Sequence, residues 1–354
     1  MSLMSNNIDN CVEEKNNEIN IKSFCPKNLL DISSKESPHP EDGLSLSLKR
    51  SHLDRLKEHC SQIIINFEKK NKLLKEKLQY VYKTCSRCIV IMKFLSDTRT
   101  NEKRKNVANP LYAKFRADKL FVVAIINIHD FYNFATTLNN NYDIKTKYEV
   151  GQIVRPNFFD ENIDKICSHG IHYFKTIDAA YYYNDVPSGF TGIWCRYYDS
   201  GNKESETDCR YGLRNGKKFC WYESGNKQYE GDFIDGDIKK SISWYENGNK
   251  SEEIEYNNSY MVNGKSISYY ENGNKRYETE YINNIKNGKS IEYYENENKC
   301  EEGEYIDGKK SGKWIRWNID GNKIIEEEYF NGSIYALIDY KKYASNNVIL
   351  AKLE

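Results

Sequence analysis

Between residues 191 and 329, apolar and polar side chains follow one pattern of about 24 residues that is written six times. The copies read Tyr198-Asp-Ser-Gly-Asn-Lys203, Tyr222-Glu-Ser-Gly-Asn-Lys227, Tyr245-Glu-Asn-Gly-Asn-Lys250, Tyr270-Glu-Asn-Gly-Asn-Lys275, Tyr294-Glu-Asn-Glu-Asn-Lys299 and Asn318-Ile-Asp-Gly-Asn-Lys323. Their central positions are Gly201, Gly225, Gly248, Gly273, Glu297 and Gly321. Four residues before the centre (position −4) stands an aromatic: Tyr197, Trp221, Trp244, Tyr269, Tyr293 or Trp317. Position −6 is Cys195, Phe219, Ile242, Ile267, Ile291 or Ile315, and position +8 is Cys209, Phe233, Tyr256, Tyr281, Tyr305 or Tyr329. Positions +5 and +7 are acidic in every copy. A period of two on both sides of a Gly-Asn turn predicts a β-hairpin. A fixed repeat of this length predicts that the hairpins stack into an array.

The phase of the alternation bears on which side chains share a face. A two-residue loop would set the apolar −6 position against the acidic +5 position. A loop of three or five residues pairs −4 with +4 and −6 with +6. One face must be apolar for burial, and a one-residue slip turns every side chain over. The expectation is therefore an odd loop, a type I turn with a bulge and a left-handed glycine. On that reading Ile, Trp and the +8 tyrosines share one face, and the acids and the −3 tyrosines the other. A hairpin needs only its turn and its apolar face, so the acids ask for another explanation. One reading makes Tyr198, Tyr222, Tyr245, Tyr270 and Tyr294, with Glu230, Asp232, Glu253, Glu255, Glu278, Glu280, Glu302 and Glu304, the binding face for a basic protein partner. The other leaves the ladder as a solvated surface balanced by the turn lysines.

The repeat Gly-x-Trp-x-x-Tyr-x-x-x-Gly-Asn-Lys…Glu-x-x-Tyr-x-Asn-Gly-Lys resembles the variant MORN repeat. Asn318 in copy six, Lys239 at the leading glycine of copy three and Glu297 in copy five depart from it. The resemblance implies an elongated antiparallel sheet serving as a binding or scaffolding surface. It carries no catalytic implication by itself.

Upstream, residues 1–43 are polar and proline-containing, which predicts a disordered tail. From Leu48 to Leu95 there is neither proline nor glycine. Ile64, Phe67, Asn71, Leu74, Leu78, Val81, Cys85, Cys88, Met92 and Leu95 alternate steps of three and four. That spacing predicts a long helix over 44–105, either folded back on its own chain or paired as a homodimeric coiled coil with Asn71 fixing the register.

Residues 106–186 read as a small α/β domain, with an apolar strand at Leu120–Asn127 and the run Cys167-Ser-His-Gly-Ile-His-Tyr-Phe174. Arg116-Ala-Asp-Lys119, Gly151 and that run are similar to an uncharacterised domain which giant viruses of the mimivirus kind place beside repeat arrays. Cys167, His169 and His172, with a distant Cys85-x-x-Cys88, could be imagined as metal ligands. On a strand, however, His172 points away from 167 and 169, and the cysteines are explained as small apolar residues, so no metal is expected. Gly170-Ile-His-Tyr-Phe followed by Ala179-Ala-Tyr-Tyr is also similar to a strand-and-helix stretch of ADP-ribosyltransferases. That would imply an enzyme centred on residues 148–183, for which no glutamate can be placed.

Composition narrows the function classes. The chain has 354 residues, with 52 basic and 52 acidic side chains. Residues 187–332 carry 21 basic and 27 acidic groups, and residues 1–186 carry 28 and 23. Such mild asymmetry does not suggest nucleic acid, whose binders show a dense basic stripe. The ten cysteines are irregularly spaced, as expected of reduced thiols in an intracellular protein. No apolar run is long enough to span a membrane, and no lysine-rich, apolar-faced helix suggests a membrane surface. The expected architecture is mainly β: an elongated antiparallel sheet of six hairpins over 187–332, a cap over 333–354, and the helix and small α/β domain before them. The expected function is a non-catalytic protein-interaction scaffold, of viral origin on the resemblance above, without a cofactor. The alternatives are the ADP-ribosyltransferase-like enzyme and a peripheral membrane protein.

Overall fold

The computed structural model describes residues 51–72, 78–140, 146–258, 261–340 and 351–352. The expected tail over 1–43, Leu74 of the expected heptad seam and residues 341–350 of the expected cap lie outside the described residues.

Helix α1 spans His52–Lys70. Ser51 caps it, with its hydroxyl accepting from the Asp54 N–H and Asp54 reaching back to the Ser51 N–H, so two otherwise orphaned donors are satisfied. Helix α1 ends at Asn71, whose side-chain amide donates to the Phe67 carbonyl, and Lys72 follows with φ +56°. The long helix expected over 44–105 is thus corrected. Beyond it come the antiparallel strands β1 (Tyr80–Cys85) and β2 (Cys88–Lys93). The heptad pattern arose because a step of four is also a multiple of two. Val81 and Cys85 share a strand face, as do Cys88 and Met92, and the step of three from Cys85 to Cys88 crosses the turn in which Ser86 takes φ +53°. The β-branched residues Val81, Thr84, Ile89, Val90 and Ile91 then favour strands. Asn71 is a helix cap, and α1 packs through Leu53, Leu56 and Cys60 against the core of its own chain.

Six antiparallel strands form the central sheet in the order β3 (Lys114–Ala117), β8 (Ile171–Phe174), β1, β2, β4 (Leu120–Asn127), β7 (Ile153–Val154). One face packs against α1 and the short helix α2 (Ile177–Tyr182) through Leu53, Leu56, Cys60, Ile89, Ile91, Ile126 and Phe174. The other buries Val81, Val90, Met92, Phe115, Val122 and Tyr173 beneath the hairpin of β5 (Thr137–Asn139) and β6 (Lys147–Glu149), which contributes Leu138 and Tyr148. Residues 78–93, placed with the helix from sequence, therefore belong to this central domain.

The repeats form one 14-stranded antiparallel sheet in strict chain order, from β9 (Gly192–Tyr197) to β21 (Ser333–Asp339) and β22 (Ala351–Lys352). Each repeat turn is a three-residue loop. In the second copy the Gly225 N–H donates to the Tyr222 carbonyl, the Tyr222 N–H to the Asn226 carbonyl, and Gly225 has φ +92°. This is the type I turn with a left-handed third residue read from the sequence. Hairpins connect through two-residue turns with positive φ at both positions, as at Tyr211-Gly212, Asp235-Gly236 and Asp307-Gly308, whose twist matches that of the strands.

A second irregularity follows in every copy. The −4 residue pairs with +2, as in Trp221 with Lys227, yet −5 pairs with +4, as in Cys220 with Tyr229. Position +3 is therefore a bulge, and it recurs in all six copies. One extra residue turns the rest of the strand over. The −6 isoleucines consequently face the +5 acids: Ile242 with Glu253, Ile267 with Glu278, Ile291 with Glu302. The face assignment expected from sequence is corrected accordingly. Ile, Trp and the acids share one side, the ladder face. The +8 tyrosines lie with the +4 and +6 residues on the other, the tyrosine face.

Candidate interaction surface of the repeat sheet

The ladder face resolves how an acid can sit beside an isoleucine. Glu253 is bridged by Lys240 at 2.6 Å and Lys250 at 3.0 Å, and Glu278 by Lys265 at 2.9 Å and Lys275 at 2.7 Å. Lys289 and Lys299 hold Glu302, and Lys217 and Lys227 hold Glu230. In copies two to six the +5 carboxylate thus lies between the −8 lysine and the +2 lysine of its own hairpin, while Glu206 of the first copy has Lys203 alone. Lysine stems cover the aromatics: Lys227 Nζ stands 5.1 Å from the Phe219 ring centre and 4.8 Å from that of Trp244 in the next hairpin. Hydrogen bonding from Lys227, Lys240 and Lys275 respectively holds Glu230, Glu253 and Glu278 below the usual carboxylate range, against the opposing effect of burial. Each such pair contributes about 0.2–1 kcal/mol, and together they compensate the +5 carboxylates.

Asp232 pairs with Lys217. Glu280 accepts from the Lys289 N–H. Glu255 lies over Gly264, and Glu304 is exposed.

The −3 tyrosines are engaged inside the sheet. Tyr198, Tyr222, Tyr245, Tyr270 and Tyr294 donate their hydroxyls at 2.7–2.9 Å to the carbonyls of Trp221, Trp244, Tyr269, Tyr293 and Trp317, the −4 residue of the next repeat. The +1 asparagines act beside them: Asn202, Asn226, Asn249, Asn274 and Asn298 donate to the carbonyl of the next turn. These bonds join repeat to repeat. Their sequence signal was the recurrence of Tyr and Asn at fixed offsets, which a hairpin alone does not require.

On the tyrosine face the +6 row includes the small residues Gly231, Thr279 and Gly303, with the −7 residues Ser241, Ser266 and Ser290 facing them and Ile254 set between Ser241 and Ser266. Larger side chains lean over it. A Cβ at Gly303 would stand 2.2 Å from the Trp314 ring, so only glycine fits beneath that tryptophan. Ser241 and Tyr256 are joined through their hydroxyls at 3.3 Å.

The first turn departs from the rest. Instead of facing solvent, Asp199-Ser200-Gly201 docks into the central domain. The Ala108 and Asn109 N–H groups donate to the Ser200 carbonyl, and the Lys114 N–H and the buried Arg104 guanidinium to that of Asp199. A Cβ at Gly201, where φ is +93°, would fall 2.0 Å from the Asn109 carbonyl oxygen. Tyr112 stacks on Tyr197 at 4.0 Å, and Trp194 packs on Tyr181 and Tyr182.

Polar side chains gather at this junction. Lys114 Nζ meets Asp199 at 3.0 Å, the Tyr183 hydroxyl at 3.2 Å and the Cys167 thiol at 3.4 Å. Burial opposes the Lys114 charge, but Tyr183 and Asp199 hold its ammonium above the usual range. His172 pairs with Arg116 across the β3–β8 ladder, and burial, then Lys83 and Lys114, holds it down to about 4. His169 lies apart, edge-on to the Phe158 ring. No group of three or more metal-ligating side chains occurs among the described residues. Of the stretch that resembles ADP-ribosyltransferases, His172 and Tyr173 lie on β8, Tyr181 on α2, and the Tyr173 hydroxyl donates to Glu102.

Residues 239–258 and 262–283 match the MORN repeat variant, and residues 67–180 match a family of unknown function (DUF5758). The repeat match covers the third and fourth hairpins. The other match begins in α1 and ends in α2, which agrees with the central domain seen in the fold. No curated protein matches the chain. Among the described residues no helix is long and apolar enough to cross a membrane.

Proposed function

We propose that the protein is a non-catalytic interaction scaffold, in which the central domain holds a MORN-type sheet at a fixed attitude and the sheet binds another protein. The observation that carries this reading is the docked first turn. Four backbone and side-chain hydrogen bonds, an ion pair and a glycine that tolerates no Cβ fix the array to the domain, while among the described residues no other element covers either face of the following hairpins. A single-layer sheet with half-buried aromatics on both faces offers contact area at low entropy cost. MORN repeats generally serve as protein or membrane interaction modules, which supports the same reading. The described cysteines are all free thiols, in keeping with a reducing compartment. The resemblance of the central segment to giant-virus domains supports action in a host cell or virion.

The test is retention of partners by the intact, tagged protein from its native cell, compared with the Gly201→Val variant. The scaffold reading expects specific proteins to be retained by the wild type and fewer by the variant. Retention of none would overturn it.

A further inference from the structure

The +5 acids of the ladder face are held by lysines, whereas Glu252 and Glu292 on the tyrosine face are not. Ser243, Glu252, Ser268, Tyr277, Glu292 and Glu301 are successive register partners on neighbouring strands, so they form one row across the third to fifth repeats. Glu301 is held by Lys310 at 2.8 Å. Glu252 and Glu292 have neither an ion pair nor a hydrogen bond to their carboxylates among the described residues. Glu292 also stands directly opposite Glu301, an arrangement of like charges that destabilises a sheet. Beside Glu252, the Ser268 hydroxyl is buried without a partner. Burial alone raises Glu252 above its ordinary range. Folding therefore tolerates, within this row, two carboxylates without a counter-ion.

We propose that this row binds an extended, basic segment of a partner protein, with lysine or arginine side chains reaching Glu252 and Glu292. The spacing selects the segment. The two glutamates are three strands apart, about 14 Å at about 4.8 Å per strand, and four residues of extended chain span the same distance. Basic residues at i and i+4 point to the same side of such a segment. Tyr277 lies between the two acids and offers its ring to the aliphatic stems and the cations. The proposal rests on the scaffold reading and names the chemistry of its partner.

The probe is a fluorescent heptapeptide of threonine and serine with lysines at its second and sixth positions, titrated into the intact protein by anisotropy at low salt. Wild type should bind it, and sodium chloride should weaken the binding. The Glu252→Gln, Glu292→Gln double variant should lose on the order of tenfold in affinity, with no fall in its melting temperature. Glu253→Gln, on the ladder face, should bind as wild type. An isomer with adjacent lysines should bind more weakly. Absence of peptide binding by wild type, equal affinity of the double variant, or an equal loss in Glu253→Gln would overturn the proposal. If the double variant retains the same partners as wild type from the native cell, the row is wrong and the scaffold stands. If wild type retains none, the scaffold reading itself fails.

Discussion

Changing Tyr245 to Phe removes one atom from the array and keeps the ring. The lost oxygen donates at 2.8 Å to the Tyr269 carbonyl of the next repeat, in a partly buried position. A neutral hydrogen bond of this kind contributes about 0.5–1.5 kcal/mol net, and the orphaned carbonyl adds a desolvation cost where water cannot reach it. We therefore expect a loss of about 1 kcal/mol. The same inter-repeat contact includes Asn247 and Asn249, whose side-chain amides donate to the Glu271 carbonyl at 2.7 and 2.8 Å. Adding Asn247→Ala and Asn249→Ala should bring the loss to about 3 kcal/mol, less whatever water restores at the exposed turn. Because a repeat array is stabilised by nearest-neighbour terms, the weakness should be local. Hydrogen exchange should speed in the third and fourth hairpins and remain unchanged in the central domain. The assay is urea denaturation of the intact protein with exchange measured by mass spectrometry. A loss below about 0.3 kcal/mol in Tyr245→Phe, or exchange changes spread evenly over the chain, would refute the claim that the −3 tyrosines join repeat to repeat.

Glu297 occupies the left-handed turn position with φ +70°, so Glu297→Gly should stabilise the fifth hairpin by about 0.5–1 kcal/mol; a lower melting temperature would contradict this. The +5 glutamates have folded values below 4.5, so their contribution is present above the unfolded value and is lost as pH falls through the lowered folded ones. Thermal scans between about pH 5 and 2 should show the array melting earlier as pH falls. Lys240→Met should flatten that slope, and an unchanged slope would remove the clamps from the account. Leu56 is fully buried between α1 and the central sheet, so Leu56→Ala should destabilise by about 2–5 kcal/mol without changing the oligomeric state. Dissociation of a wild-type dimer by this change would instead favour a helix-mediated assembly.

The repeat was legible because its offsets recur six times, and the turn type followed from Gly and Asn at its centre. The faces were not legible. The bulge at +3 falls on residues as different as Glu204, Gln228, Ser251 and Cys300, so no side chain announces it, and rejecting an acid opposite an isoleucine ignored the pair of lysines that makes the pairing tolerable. The same gap misplaced the hairpin at 80–93: Val81, Cys85, Cys88 and Met92 fit a helical seam and a strand face equally well, and only the Ser86-Arg87 turn distinguishes them. The tyrosines at −3 were read with the acids as part of a binding face, and their hydroxyls bond repeat to repeat. Glu252 and Glu292 were overlooked because +4 and −5 vary between copies, and a search for recurrence passes over what differs.

Cross-linking mass spectrometry on the intact protein bound to its captured partner tests the central claim most directly. The account predicts that lysines of the partner join to carboxylates of the third to fifth hairpins on the tyrosine face, Glu252 and Glu292 among them, while the docked first turn keeps its contacts with the central domain. Cross-links confined to residues 78–186, with none on the array, would contradict it.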